Sequence, residues 1–246
     1  MILGVVQVSM GSQRLPKKAA LPILGKPMTW WVYTRLWQAR SLDKVVLAFP
    51  EDDVWLVRFA REHQIPYYAG SYRDLIDRLY CTTLAFGADA IVRVTGDCPM
   101  VDPDVVDRVV EMYLQVQSKV GCVMTSGFPA GLNVSVYSRE FLRRLWFEID
   151  DPVYREWFTA YINLHEDRFS TFKAVRSGAP LSSLRWTVDY PEDLEFVRCI
   201  YDQLGSNFRM RDVLDLLEIR PTLAQINAAR QIDPLHNFPY KGELSD

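Results

Sequence analysis

The chain has 246 residues, with 28 lysines and arginines against 31 aspartates and glutamates, a formal net charge of −3. Hydrophobic residues at 49% and charged residues at 24% are globular values, which excludes a disordered, collagenous or coiled-coil chain. The slightly acidic balance argues against a nucleic-acid surface, and a chain this long buries enough surface to fold without disulfides.

Ile2 to Val8 is a nearly continuous apolar run, the pattern of a strand buried on both faces. A polar loop from Ser9 to Lys26 follows, and Pro27 opens a helix whose Met28, Trp31 and Leu36 share a face. Val45 to Phe49 reads as a second buried strand, and Glu51-Asp52-Asp53 leads into a helix ending near His63. A third strand is expected at Pro66 to Ala69, a helix at Tyr72 to Phe86 and a fourth strand at Ala90 to Val94. Pro103 and Asp104 start the next helix. Strands are then expected at Val120 to Thr125 and Leu132 to Tyr137, and a helix at Val153 to Leu164. Strands follow at Phe172 to Val175 and Leu184 to Val188, then a helix to about Leu204, two short helices and a tail. This alternation predicts an α/β fold, a mostly parallel sheet with helices on both faces.

No apolar run reaches the roughly 18 residues of a membrane helix, and Met1 to Val6 lacks the basic segment of a signal peptide. Membrane insertion is therefore not expected. The cysteines Cys81, Cys98, Cys122 and Cys199 show no CxxC spacing and read as reduced thiols of a cytoplasmic protein.

In open parallel sheets, ligands bind beyond the carboxyl ends of the strands. Three stretches fall there. The first holds Gly11, Ser12, Arg14, Lys17 and Lys18. Gly11 permits close approach of a ligand to the backbone, Arg14 offers a forked donor and Lys18 a point charge, all suited to phosphate. The Walker spacing and the dinucleotide fingerprint are both absent. The second is Thr95-Gly96-Asp97-Cys98-Pro99, where Asp97 stands at a strand end and could hold Mg²⁺. The third is Val188-Asp189-Tyr190-Pro191-Glu192-Asp193; Glu192 and Asp193 suit the first turn of a helix, while Asp189 ends a strand. If Asp97 and Asp189 face each other, their repulsion at about 4 Å is on the order of 4 kcal/mol at an effective dielectric near 20, which a divalent cation would remove. His63 reads as a helix-end residue, and His165 and His236 lack partners at ligand spacing.

Taken together these stretches resemble the cytidylyltransferases, the family of spore coat polysaccharide, acylneuraminate and 3-deoxy-manno-octulosonate cytidylyltransferases. The resemblance rests on Gln7, Gly11-Ser12, Arg14-Leu15-Pro16, Lys18 and Gly25-Lys26-Pro27. It continues through Gly70-Ser71, Asp74, Asp77-Arg78 and Tyr80, then Arg93 to Pro99, Gly131-Leu132, and Thr187-Val188-Asp189 with Pro191 to Leu194. It implies a Rossmann-like nucleotidyltransferase that moves CMP from CTP to a sugar or sugar-acid acceptor and releases pyrophosphate. It further implies that Arg14 and Lys18 hold the triphosphate and that Gly11 and Ser12 contribute to the phosphate loop. Asp74 and Arg78 would lie near the nucleotide, and Asp97 and Asp189 would ligate Mg²⁺. A homodimer is also implied. The whole chain, 1–246, reads as one domain: a nucleotide-binding half (1–118), an acceptor and dimerisation half (119–204), and C-terminal helices and tail (205–246).

Some positions depart from the family pattern. Ser9 stands where the family has arginine, and Lys17 where it has glycine. Ala130, Asn133 and Ser135 replace three acids, and Trp157 replaces a histidine. If position 17 needs left-handed geometry, a non-glycine residue there costs about 1–2 kcal/mol. The departures keep two other readings open: a binding or scaffold subunit that retains only the fold, and a metal-dependent glycosyltransferase of related fold.

Overall fold

In a computed structural model the structure describes residues 1–230; His236 and the rest of the expected tail lie outside the described residues. Four strands run parallel at the centre: β1 (Ile2–Gln7), β4 (Lys44–Pro50), β5 (Tyr67–Gly70) and β6 (Ala90–Thr95). A short ladder, β2 (Pro22–Ile23) and β3 (Lys26–Pro27), lies inside the long loop after β1. The main sheet continues with β7 (Cys122–Ser126), β8 (Ser135–Ser138) and β9 (Thr171–Val175), giving the order β5-β4-β1-β6-β8-β7-β9. Only β8 runs against the rest, because the turn between β7 and β8 returns the chain beside β6. The mostly parallel α/β sheet read from the sequence is the one observed.

The helices are α1 (Met28–Leu36), α2 (Val54–Glu62), α3 (Leu75–Phe86), α4 (Pro103–Val116), α5 (Arg139–Glu148), α6 (Pro152–Glu156), α7 (Phe158–Leu164), α8 (Pro191–Leu204), α9 (Met210–Ile219) and α10 (Thr222–Gln225). They cover both faces of the sheet and form two apolar clusters. One holds Val6, Leu47, Val92 and Phe196; the other holds Leu3, Val46, Ile91 and Phe158. Strands buried on both faces carry side chains to each cluster in alternation, which is why they read as unbroken apolar runs.

Three expectations fail, each for a local reason. The sequence reading assigns nothing to 139–148, where Ser138 caps α5 by accepting the Phe141 N–H. The helix expected over 153–164 breaks at Trp157, whose φ of −107° and ψ of 41° separate α6 from α7. The strand expected at Leu184 to Val188 does not join the sheet. A single bridge, Ala130 to Arg185, takes its place. Gly131 makes the approach possible: at φ 109° it lies so close to Trp186 that a Cβ would meet the Trp186 carbonyl carbon at 2.5 Å. Backbone bonds from Trp186 to Ala130 (2.6 Å) and from Val188 to Asp97 (2.8 Å) hold the segment over the sheet end.

Candidate active site

A cavity of about 660 Å³ opens at the carboxyl ends of β1, β4 and β6. The loop after β1 forms its floor. At the start of that loop the Gly11 N–H donates to Ser9 Oγ (3.0 Å) and the Met10 N–H to Asp53 Oδ2 (2.8 Å), which ties the turn to the segment after β4. Lys17 then takes φ 57° and ψ 26°, and a single 3-10 turn over Lys18–Ala20 swings Lys18 into the cleft.

Four of the expected residues meet there. Lys18 Nζ donates to Asp97 Oδ2 (3.1 Å), Asp189 Oδ1 (2.8 Å) and the Val188 carbonyl (2.8 Å). Arg14 Nη2 donates to the same Asp189 Oδ1 at 2.6 Å. The Thr95 hydroxyl donates to the other oxygen of Asp97 at 2.5 Å. One ammonium therefore stands between the two carboxylates, in the place where their mutual repulsion would be strongest. Burial pulls the Lys18 ammonium toward losing its proton, but the charges of Asp97 and Asp189 outweigh that and raise its pKa. Burial likewise pushes the Asp97 carboxyl up, and the Lys18 charge and the Thr95 hydrogen bond reverse this, holding it well below the usual carboxylate range.

Gly11, Ser12 and Arg78 also line the cleft. Arg78 is 4% exposed and donates through Nη1 to the Ser71 carbonyl, while its Nε has no partner among the described residues. Burial, reinforced by the nearby Arg93 charge, lowers its pKa to about 10 against the pull of Glu156 and Asp74. Asp74 does not line the cleft. It caps α3 by accepting the Asp77 N–H (2.8 Å) and pairs with Arg155 Nε (2.5 Å). Arg155 in turn donates to the carbonyls of Trp146 and Ile149, and so fixes the α6–α7 corner. That corner presents Glu156 and Trp157 to the cleft, where Trp157 stands in place of the family's histidine. Of the departures from the family pattern, Ser9 and Trp157 line the cavity; Ala130, Asn133 and Ser135 do not. His63 and His165 end α2 and α7, each with Nδ1 against a carbonyl of its own helix.

Behind Asp189 is a second layer that motif reading missed. Arg185 Nη2 donates to Asp189 Oδ2 (2.9 Å), and Arg185 Nε to Asp193 Oδ1 (2.9 Å). Their spacing of four and eight residues is visible in the sequence, but no strand or helix joins them there.

Among the described residues no three His, Cys, Asp or Glu side chains converge on a metal position. Two carboxylates, Asp97 and Asp189, share Lys18 in the cleft. Hard oxygen donors fit Mg²⁺, which ordinarily keeps several waters and takes one or two carboxylates together with substrate phosphates.

A cleft at the carboxyl ends of parallel strands, with a basic loop facing two carboxylates, is the arrangement of a nucleotidyltransferase of Rossmann-like fold. Residues 3–171 match the family described as Cytidylyltransferase, and the chain belongs to that family. The match ends before Asp189. Over 235 residues the chain is 26% identical to an uncharacterized protein of Methanocaldococcus jannaschii, covering 92% of this chain and 94% of that one. It is 25% identical over 234 residues to the spore coat polysaccharide biosynthesis protein SpsF of Bacillus subtilis, covering 91% and 96%. A solved cytidylyltransferase from Leptospira borgpetersenii is similar at a TM-score of 0.87 and 26% identity, over 94% of this chain and 98% of that one.

Proposed function

We propose that the protein transfers CMP from CTP to a sugar, sugar acid or similar acceptor and releases pyrophosphate, in the synthesis of a surface polysaccharide or glycoconjugate. The observation that carries this reading is the meeting of Arg14 and Lys18 with Asp97 and Asp189 at one end of the cleft.

Arg14 and Lys18 exchange their carboxylate partners for oxygens of the triphosphate as CTP enters. Both are donors only, so the exchange keeps their hydrogen bonds satisfied. Asp97 and Asp189 are left facing each other without the ammonium. Mg²⁺ held by these two carboxylates would neutralise them and draw negative charge from the phosphates. Lys18, already charged well above neutral pH, is placed to stabilise charge developing on the pyrophosphate. Arg14 fixes the phosphates in register, so that an acceptor oxygen entering from the Trp157 side meets the α-phosphorus in line. Trp157 offers an apolar face to that acceptor where a histidine would offer a charge.

The test is pyrophosphate release from CTP with a panel of sugars and sugar acids. Release is expected with CTP above ATP, GTP and UTP, and Lys18→Met is expected to lower it by at least 100-fold, in line with losing one charge-stabilising donor. Release from none of the four nucleotides, with no binding of CTP, refutes the proposal and favours a scaffold role.

A further inference from the structure

Asp189 is not held by the sheet. The segment carrying it meets the β7–β8 turn through backbone bonds of Ala130 to Leu184 and Trp186, and the Asp97 carbonyl through the Val188 N–H and the Thr187 hydroxyl, none of which touches the Asp189 carboxylate. Its orientation therefore has to come from elsewhere, and the bonds around it show from where. The Asp189 N–H (2.9 Å) and the Tyr190 N–H (3.0 Å) both donate to Asp193 Oδ2. Asp193 is 0% exposed, and its Oδ1 accepts Arg185 Nε at 2.9 Å and Asn227 Nδ2 at 3.0 Å. Asn227, 4% exposed, uses the same amide nitrogen to reach the Arg185 carbonyl at 2.9 Å. Arg185 closes the ring by gripping Asp189 Oδ2 at 2.9 Å. Nearby, Arg230 pairs with Glu192 at 2.6 Å and lies 4.3 Å from the centre of the Tyr190 ring, whose neighbour on another side is Arg14 at 5.3 Å.

We infer that Arg185, Asp193 and Asn227 are positioning residues: a brace, anchored in α8 and in the segment after α10, that fixes the Asp189 carboxylate for nucleotide and metal. The chemistry asks for such a brace. A carboxylate that must accept a cation needs one oxygen directed into the cleft, and Arg185 on Oδ2 turns Oδ1 toward Lys18. Arg185 can do this because its planar fork spans Asp189 and Asp193 together, which a lysine cannot. Two backbone N–H groups, a guanidinium and an amide surround the buried Asp193 carboxylate and satisfy both of its oxygens. Asn227 lies 34 residues beyond Asp193 and outside the span matched by the family, so a late segment of the chain supports an ion network whose other members are Arg14, Lys18, Asp97 and Asp189.

The inference rests on the reading of Asp189 as the metal-facing carboxylate, and the test separates the two. CTP is titrated calorimetrically into the full-length protein with and without Mg²⁺, for the wild type, Asn227→Ala and Arg185→Lys. Loss of an outer hydrogen-bond partner of a metal ligand typically costs 10- to 100-fold in metal affinity. Each variant is therefore expected to weaken CTP binding about 10-fold in Mg²⁺, while binding without Mg²⁺, set by Arg14 and Lys18, stays at the wild-type value. If Asn227→Ala does not fold, Arg185→Lys decides alone. Unchanged binding in Mg²⁺, or equal losses with and without it, overturns the positioning role and leaves the functional reading standing. A wild type that takes up no CTP under either condition overturns the functional reading, and the brace with it.

Discussion

Lys17 holds a left-handed backbone, φ 57° and ψ 26°, one residue before the ammonium that joins Asp97 to Asp189. The Cβ of an L-residue is crowded there by about 1–2 kcal/mol. Lys17→Gly is therefore expected to raise stability by about 1 kcal/mol, read as a higher urea midpoint at unchanged slope. Asp97 makes a second prediction at this scale. Burial would raise its carboxyl, but the Lys18 charge and the Thr95 hydroxyl hold it at about 2 against an ordinary 3.8. A depressed carboxylate contributes stability that is complete above the unfolded value and lost as pH falls through the folded one. Circular dichroism should show stability falling between pH 3.8 and about 2, and Asp97→Asn should flatten that limb.

At the scale of elements, Asp74 works for α3 and the α6–α7 corner and makes no direct contribution to the cleft lining. Asp74→Ala removes the cap on the Asp77 N–H and the partner of Arg155, and the cap alone is worth about 1 kcal/mol. The variant should lose at least that in urea unfolding while CTP still binds, with the loss appearing in the acceptor's KM through Glu156 and Trp157. Only the family resemblance places Asp74, with Arg78, near the nucleotide. Its true partner is 81 residues away, where spacing gives no signal. The parallel strands are legible because each is a short apolar run, and Arg14, Lys18, Asp97 and Asp189 because polar residues that follow apolar runs stand out against them; for Asp189 the run is not a sheet strand. The Leu184 to Val188 segment misled the reading for the same reason: it is apolar and buried at Trp186 and Val188, yet its burial comes from capping the sheet end and not from pairing along a strand. The α5 helix escaped because its start is marked only by Ser138, directly after a strand.

For the whole molecule, the ion network predicts coupling between ligands. On the proposed function, Mg²⁺ alone would have to displace Lys18 from two carboxylates, and CTP alone would leave those carboxylates in repulsion. Each is therefore expected to bind weakly by itself and tightly with the other. At concentrations 100 times the joint Kd the gain is about 2.7 kcal/mol, which for a chain of this size is a rise in Tm of roughly 5–10 °C. Single additions should give less than half of that together. Additive shifts would show that the network does not couple the two. Among the described residues no helix is long and apolar enough to cross a membrane.

Lys18 reaches Val188 and Asp189 across 170 and 171 intervening steps of chain. During synthesis the early parallel strands can pair well before those partners have emerged. Until they do, Lys18 and Arg14 have no Asp189 to meet, and the loop after β1 lacks its far wall. Closing so long a loop costs entropy that only the finished contacts return, so such contacts form late in folding. The Lys18 contacts to Val188 and Asp189 therefore close the cleft only once the later half of the chain has joined the early strands.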